Sequence, residues 1–158
     1  MADHEYHASI HWERGAAVFT DNRYSRGHTW GFDAGLTVPA SSSPHVVRVP
    51  YSVEAAVDPE EALVAAIASC HMLWFLSLAA GAGYCVDDYR DAAVGVMGKN
   101  AAGKIALLSV KLRPQIAFSG AKRPSAAQID QLHHRAHEEC FIANSVTTAI
   151  TVEAAAHD

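Results

Sequence analysis

From Ala62 to Ala80 the chain runs for 19 residues without a formal charge. A helix with no polar face cannot stand in water, so the remainder of the chain or a second copy of it must cover this one. The length is also close to what spans a bilayer. Yet Ser69, His71 and Ser77 interrupt the run, and its flanks are acidic, Glu60-Glu61 before it and Asp87-Asp88 after it. No Lys/Arg cluster is present to orient a span. The segment therefore reads as the buried centre of a globular fold, not as a membrane anchor.

The chain has 158 residues, enough for one domain, 1–158, with a full core. Half the residues are apolar and 18% are charged, ordinary for a soluble protein. A net charge of −5 sets nucleic acid aside as a partner. Met1–Ile10 is polar and His-rich, with no apolar signal-peptide core, which points to the cytoplasm. Three cysteines at uneven spacing do not make a secreted disulfide framework. In a reducing compartment a cysteine pair is more often catalytic or metal-binding than structural.

His4–Trp12 alternates as a strand, and Ala16–Thr20 and Thr29–Val38 are further strand candidates. Pro39–Pro44 is a Ser/Pro loop, with short strand pieces at Val46–Val49 and Tyr51–Val53. Asp58 suits an N-cap and Pro59 the first helical position, while Glu60 and Glu61 suit the positive end of the helix dipole. That helix should stop near Gly81-Ala82-Gly83. Val86–Met97 and Lys104–Phe118 read as two long strands joined by a turn at Asn100–Gly103. Ser125 caps a second helix through Ala136, and Val146–Val152 closes the chain as a strand. Strands, helix, strands, helix, strand is an α+β order, not an alternating β-α-β one. The apolar helix adds the expectation of a symmetric homodimer.

Two thiols carry the chemistry. Cys70 lies eleven residues after Pro59 on the apolar helix, and Cys140 ends the polar helical stretch. Thiols on separate helices form a redox pair if the fold brings them together. Taken alone, Cys70 reads as packing, because free cysteines are among the most buried residues. Cys85 reads as structural, and the tryptophans Trp12, Trp30 and Trp74 read as core. A rival reading uses His133, His137 and Cys140, at i, i+4 and i+7 on one helix face. Nitrogen and thiolate ligands at that spacing would make a zinc site, hence a metal-dependent hydrolase or metal sensor. A third reading is a non-enzymatic dimeric protein whose apolar helix lines a lipid pocket.

Asp58-Pro59-Glu60-Glu61, followed at the right distance by Ser69-Cys70 and then by Glu139-Cys140 with Ser145, resembles the OsmC/Ohr family of thiol-dependent peroxidases. The likeness covers nearly the whole chain. It implies antiparallel sheets around a central apolar helix in an intertwined homodimer, with two active sites at the subunit interface. It implies reduction of organic hydroperoxides with an external thiol or dithiol as reductant, and no cofactor. Cys70 takes the place of the peroxidatic cysteine and Cys140 that of the resolving one. Glu60 matches the glutamate that positions an arginine over the thiolate. The chain departs from the family pattern at Asp58, at His71 and Met72 beside the first cysteine, and at Phe141 after the second.

The arginine has a physical reason. A thiol attacks an O–O bond only as thiolate, and an ordinary cysteine, with a pKa of about 8.5, is mostly protonated at neutral pH. An apolar helix disfavours the charged form further, so a cation must be supplied. Arg26 and Arg48 are the two candidates.

Overall fold

The computed structural model describes residues 3–153. The chain forms two compact units, Met1–Ala62 and Leu63–Asp158. Met1 and Ala2, which open the polar N-terminal stretch, lie outside the described residues.

In the first unit β1 (Ser9–His11), β2 (His28–Gly31) and β3 (Thr37–Ala40) form an antiparallel sheet in that order. The strand expected over Thr29–Val38 is cut by a 3-10 turn at Asp33–Gly35, where Ala34 and Gly35 take left-handed backbone at φ 58° and 83°. Ala16–Thr20 is not a strand. Its backbone closes on itself, with Thr20 N–H donating to Val18 O and Asn22 N–H to Phe19 O. Val46–Val49 and Tyr51–Val53 are turns for the same reason. The Val46 and Val47 amides donate to Ser43 O, and the Tyr51 amide donates to Arg48 O. β propensity loses where local partners already satisfy the donors a ladder would need.

The second unit is organised on α1 (Pro59–Gly81). Asp58 caps it as expected, its Oδ1 accepting from the Glu61 amide at 2.8 Å. The far end is a Schellman motif. Gly83, at φ 81°, donates to Ala80 O, and Tyr84 donates to Ala79 O. Tyr84 and Ala79 then meet in the core.

The two long strands are in fact four: β4 (Cys85–Asp91), β5 (Val94–Lys99), β6 (Ile105–Leu112) and β7 (Pro114–Ser119). β4 pairs with β7, and β5 with β6, so the hairpin divides between two sheets at Ala92-Ala93 and Arg113. Pro114, which has no amide to donate, opens β7, and Asp91 Oδ1 accepts from the Arg113 amide at 2.7 Å. The expected turn at Asn100–Gly103 is present, with Asn100 Oδ1 accepting from the Ala102 and Lys104 amides. α2 (Ala126–Glu139) begins with a capping box between Ser125 and Gln128. β8 (Ala149–Val152) closes the fold beside β6 and runs parallel to it. The fold is α+β, as the order of elements implied, and its strand pairs are antiparallel, as the resemblance implied, except for the parallel β6–β8 pair.

α1 carries two cores. Ile67 packs with Val110 and Leu112. Phe75 and Ala79 pack with Ile129, Leu132 and Ala136 of α2. Gly95 lets α1 come close, since a Cβ there would stand 2.6 Å from Val64. Only one face of α1 is buried within the chain, at Ile67, His71, Phe75 and Ala79. Leu73 on another face is 60% exposed, and Phe141, which follows α2 and meets Trp74 of α1 edge-on, is 58% exposed. The expectation that this helix is hidden all round is therefore not met by one chain. α1 is also long and apolar enough to cross a membrane, as the core helix of a globular fold can be.

Candidate functional site

Within the second unit the fold joins the two thiols that the sequence singled out. Cys70 is half-buried on α1. Cys140 is the C-cap of α2, its backbone already extended, and is 1% exposed. The Cys140 thiol is pushed up to about 11, first by burial and then by its hydrogen bond with the Cys70 thiol. The Ala143 amide, donating to Cys140 Sγ at 3.4 Å, pulls the other way. At neutral pH Cys140 is thus a thiol, held against Cys70 and shielded from water. Both cysteines are unpaired. Ser145 lies just beyond, its hydroxyl donating to Phe141 O at 2.7 Å. Cys85 is exposed, with its Sγ 3.9 Å from Asp87 Oδ1.

His71, the residue after Cys70, is fully buried and faces α2. Its Nε2 stands 3.0 Å from His133 Nδ1, and the two rings lie edge to edge with centroids 5.3 Å apart and planes 11° from parallel. Phe75 closes over His133 at 4.4 Å. Burial, and then the charges His133 and His137 would carry, pull His71 down from 6.5 to about 4. It is a neutral imidazole in the folded protein.

An unfolded His71 takes a proton as pH falls below 6.5, while the folded one refuses it until about 4. The stability contributed by keeping it neutral is whole above 6.5 and is lost as pH falls from there to 4. The loss is about 3 kcal/mol. Urea midpoints should therefore decline through that window, and His71→Phe should flatten the decline. Equal slopes in the two proteins would contradict the assignment.

The metal reading fails on geometry. His133 spends Nδ1 on His71, and Cys140 lies past the last helical residue with its thiol against Cys70. His134 pairs with Glu138 at 3.3 Å instead. Among the described residues no group of three or more His, Cys, Asp or Glu is placed to hold a metal ion. The i, i+4, i+7 spacing ended where the helix did.

The first unit holds an open cavity of about 520 Å³, within the range of small-molecule sites. Ile10, Trp12, Phe19 and Tyr24 make its apolar wall, and Arg26 and Glu60 also line it. The aromatic rings support one another, Phe19 stacking on Tyr24 at 4.7 Å and Trp12 meeting Tyr24 edge-on at 5.4 Å. Trp12 is therefore a half-buried cavity wall and not core, and its Nε1 donates to Ser25 O at 2.8 Å. Trp30 is half-buried too, whereas Trp74, also half-buried, packs against the core that α1 shares with α2.

Arg26 is held by its own loop. Its guanidinium donates to Asn22 O, Tyr24 O and Asn22 Oδ1 and lies 3.8 Å over the Tyr24 ring. Glu60 Oε2 is buried without a hydrogen-bond partner. Arg48 does not line this cavity and sits 6.0 Å from the Tyr51 ring. Of the two candidate cations, Arg26 is the one that shares a cavity with Glu60. The aromatic wall and the histidine pair were missed by sequence reasoning. Trp12, Phe19 and Tyr24 have no helical or strand period, and 62 residues separate His71 from His133.

Residues 52–155 match the family model described as OsmC-like protein. Nothing among curated proteins matches the chain. An OsmC-like protein of unknown function from Vibrio cholerae is 55% identical, with a TM-score of 0.95 over 97% of this chain and 100% of that one. Two further structures share the fold at low identity. One is an organic hydroperoxide resistance protein from Elizabethkingia anophelis with thiocyanate bound, 16% identical, TM-score 0.69, covering 97% of this chain and 95% of that chain. The other is a putative organic hydroperoxide resistance protein from Vibrio cholerae with captopril in one of its active sites. It is 24% identical, TM-score 0.65, covering 96% of this chain and 92% of that chain.

Proposed function

We propose, for a chain that belongs to the OsmC-like family, a thiol-dependent peroxidase that reduces organic hydroperoxides through Cys70 and Cys140. The observation that carries this reading is the buried Cys140 thiol held against Cys70. In the first step the Cys70 thiolate attacks the outer peroxide oxygen. The O–O bond breaks, an S–O bond forms, and the alkoxide leaves and takes a proton as the alcohol. The sulfur is now a sulfenic acid. In the second step the Cys140 thiol attacks that sulfur. A disulfide forms and the hydroxide leaves as water with the Cys140 proton. An external dithiol then reduces the disulfide by exchange and is itself oxidised.

Arg26 supplies the positive charge that favours the Cys70 thiolate, and Glu60 orients it. The aromatic wall beside Arg26 receives the apolar part of the hydroperoxide. Ten residues of helix separate Glu60 from Cys70, roughly 15 Å of rise, more than the two side chains span. A site holding both therefore takes Glu60 and Arg26 from a second copy. That copy also covers the open face of α1, with Leu73 and Phe141, and gains roughly 25 cal/mol for each Å² of apolar surface removed from water. The same cover makes α1 the core helix of a soluble, cytoplasmic homodimer instead of a membrane span. Light scattering at low micromolar concentration should give twice the mass of one chain. A monomer with full peroxidase activity would rule out the shared site.

The enzymatic test is direct. Reduced protein with an alkyl hydroperoxide and a dithiol should consume peroxide catalytically. No consumption above the dithiol alone would end this reading in favour of a non-enzymatic lipid-binding dimer.

A further inference from the structure

We infer that the His71–His133 hydrogen bond is a register pin between the two helices, a positioning pair that holds Cys140 where it can close on Cys70. The inference rests on the two-cysteine reading above and adds residues to it.

Most of the contact between α1 and α2 is apolar: Phe75 and Ala79 against Ile129, Leu132 and Ala136. Apolar surfaces of similar shape tolerate sliding and rotation, because their attraction has no direction. A hydrogen bond does not. At 3.0 Å, Nε2 of His71 and Nδ1 of His133 must face each other along one line. Moving α2 by one residue would rise 1.5 Å and turn His133 by about 100°, breaking the bond inside the core. Cys140 rides on that same helix as its C-cap, two turns beyond His133. Cys70 is the immediate neighbour of His71 on the other helix. Setting His133 against His71 therefore also sets the position of Cys140 relative to Cys70.

A buried imidazole pair is a costly way to hold two helices together. Burial works against its polar atoms, and His71 Nδ1 has no hydrogen-bond partner. Leucine at both positions would pack without that cost. What the leucines would not supply is a single register, the attested use of a buried polar contact between helices.

The test reads the thiol pair without peroxide. In a Cys85→Ser background, the Cys70–Cys140 disulfide is brought to equilibrium with a glutathione redox buffer. The ratio of oxidised to reduced protein gives the effective concentration of one thiol at the other. In His71→Leu/His133→Leu we expect thermal stability equal to or above that of the parent. The effective concentration should fall about tenfold, a shift of about 30 mV for this two-electron couple. His71→Gln, whose amide still reaches His133, should return to within about threefold of the parent. A double variant within twofold of the parent would overturn the pin, and so would a His71→Gln as low as the double. A parent protein that never forms the disulfide would instead overturn the two-cysteine reading on which the pin rests.

Discussion

Serine in place of Cys70 should abolish hydroperoxide turnover while leaving the fold in place. The substitution keeps the shape of a half-buried side chain on α1 and removes only the atom that reacts. A serine hydroxyl is not ionised at neutral pH and has no neighbouring base among the groups described around Cys70. It cannot open an O–O bond. We expect the rate to fall at least about a thousandfold, to the background of the dithiol alone. Circular dichroism should be unchanged and the stability should shift by about 1 kcal/mol. Unchanged turnover in Cys70→Ser would rule out the mechanism, whatever the other cysteines do.

The second large effect separates the two thiols. Cys140→Ser should still react once with hydroperoxide, because the attacking sulfur is untouched. It should then stop at a Cys70 sulfenic acid. The wild-type partner is a buried thiol kept protonated by its surroundings, in place before the peroxide arrives. Without it the sulfenic acid waits for an external thiol, and steady-state turnover falls roughly ten- to a hundredfold. Excess peroxide should carry Cys70 on to sulfinic and sulfonic acid, which a thiol cannot reverse. Intact-mass spectrometry would show the added oxygens in the variant and not in the wild type. If Cys140→Ser leaves Cys70 unmodified while the wild type reacts, the order of the two cysteines is wrong.

What the amino-acid sequence makes legible here is what neighbouring residues decide among themselves. Asp58 and Pro59 start α1 and Gly83 stops it, and each acts within a turn of the helix end. Ser125 and Gln128 cap α2 in the same local way. Asn100 folds the β5–β6 turn with its own side chain. The errors lie where partners are distant. Ala92-Ala93 carries no break signal, yet the chain changes sheets there, because its pairing partner is interrupted at Pro114. The valines between Val46 and Val53 favour strand but find turn acceptors first.

The site divides in the same way. Cys70, Cys140 and Glu60 stand out through motif spacing, whereas only the fold shows that Arg26, and not Arg48, lines a cavity with Glu60. The helical spacing of His133 and His137 reads as a metal site. In the fold His133 instead reaches across to a histidine on another helix. No property of residues 133–140 alone could reveal that, since His71 comes from α1.

The central claim is that one hydroperoxide oxidises Cys70 and that Cys140 captures the product. It is tested most directly by adding one equivalent of an alkyl hydroperoxide to the fully reduced wild-type protein, blocking free thiols, and mapping peptides without reductant. The account predicts loss of two hydrogens from the intact chain, a single Cys70–Cys140 disulfide, and Cys85 recovered blocked. Recovery of Cys70 and Cys140 as free thiols, or a disulfide that joins Cys85 instead, would contradict it.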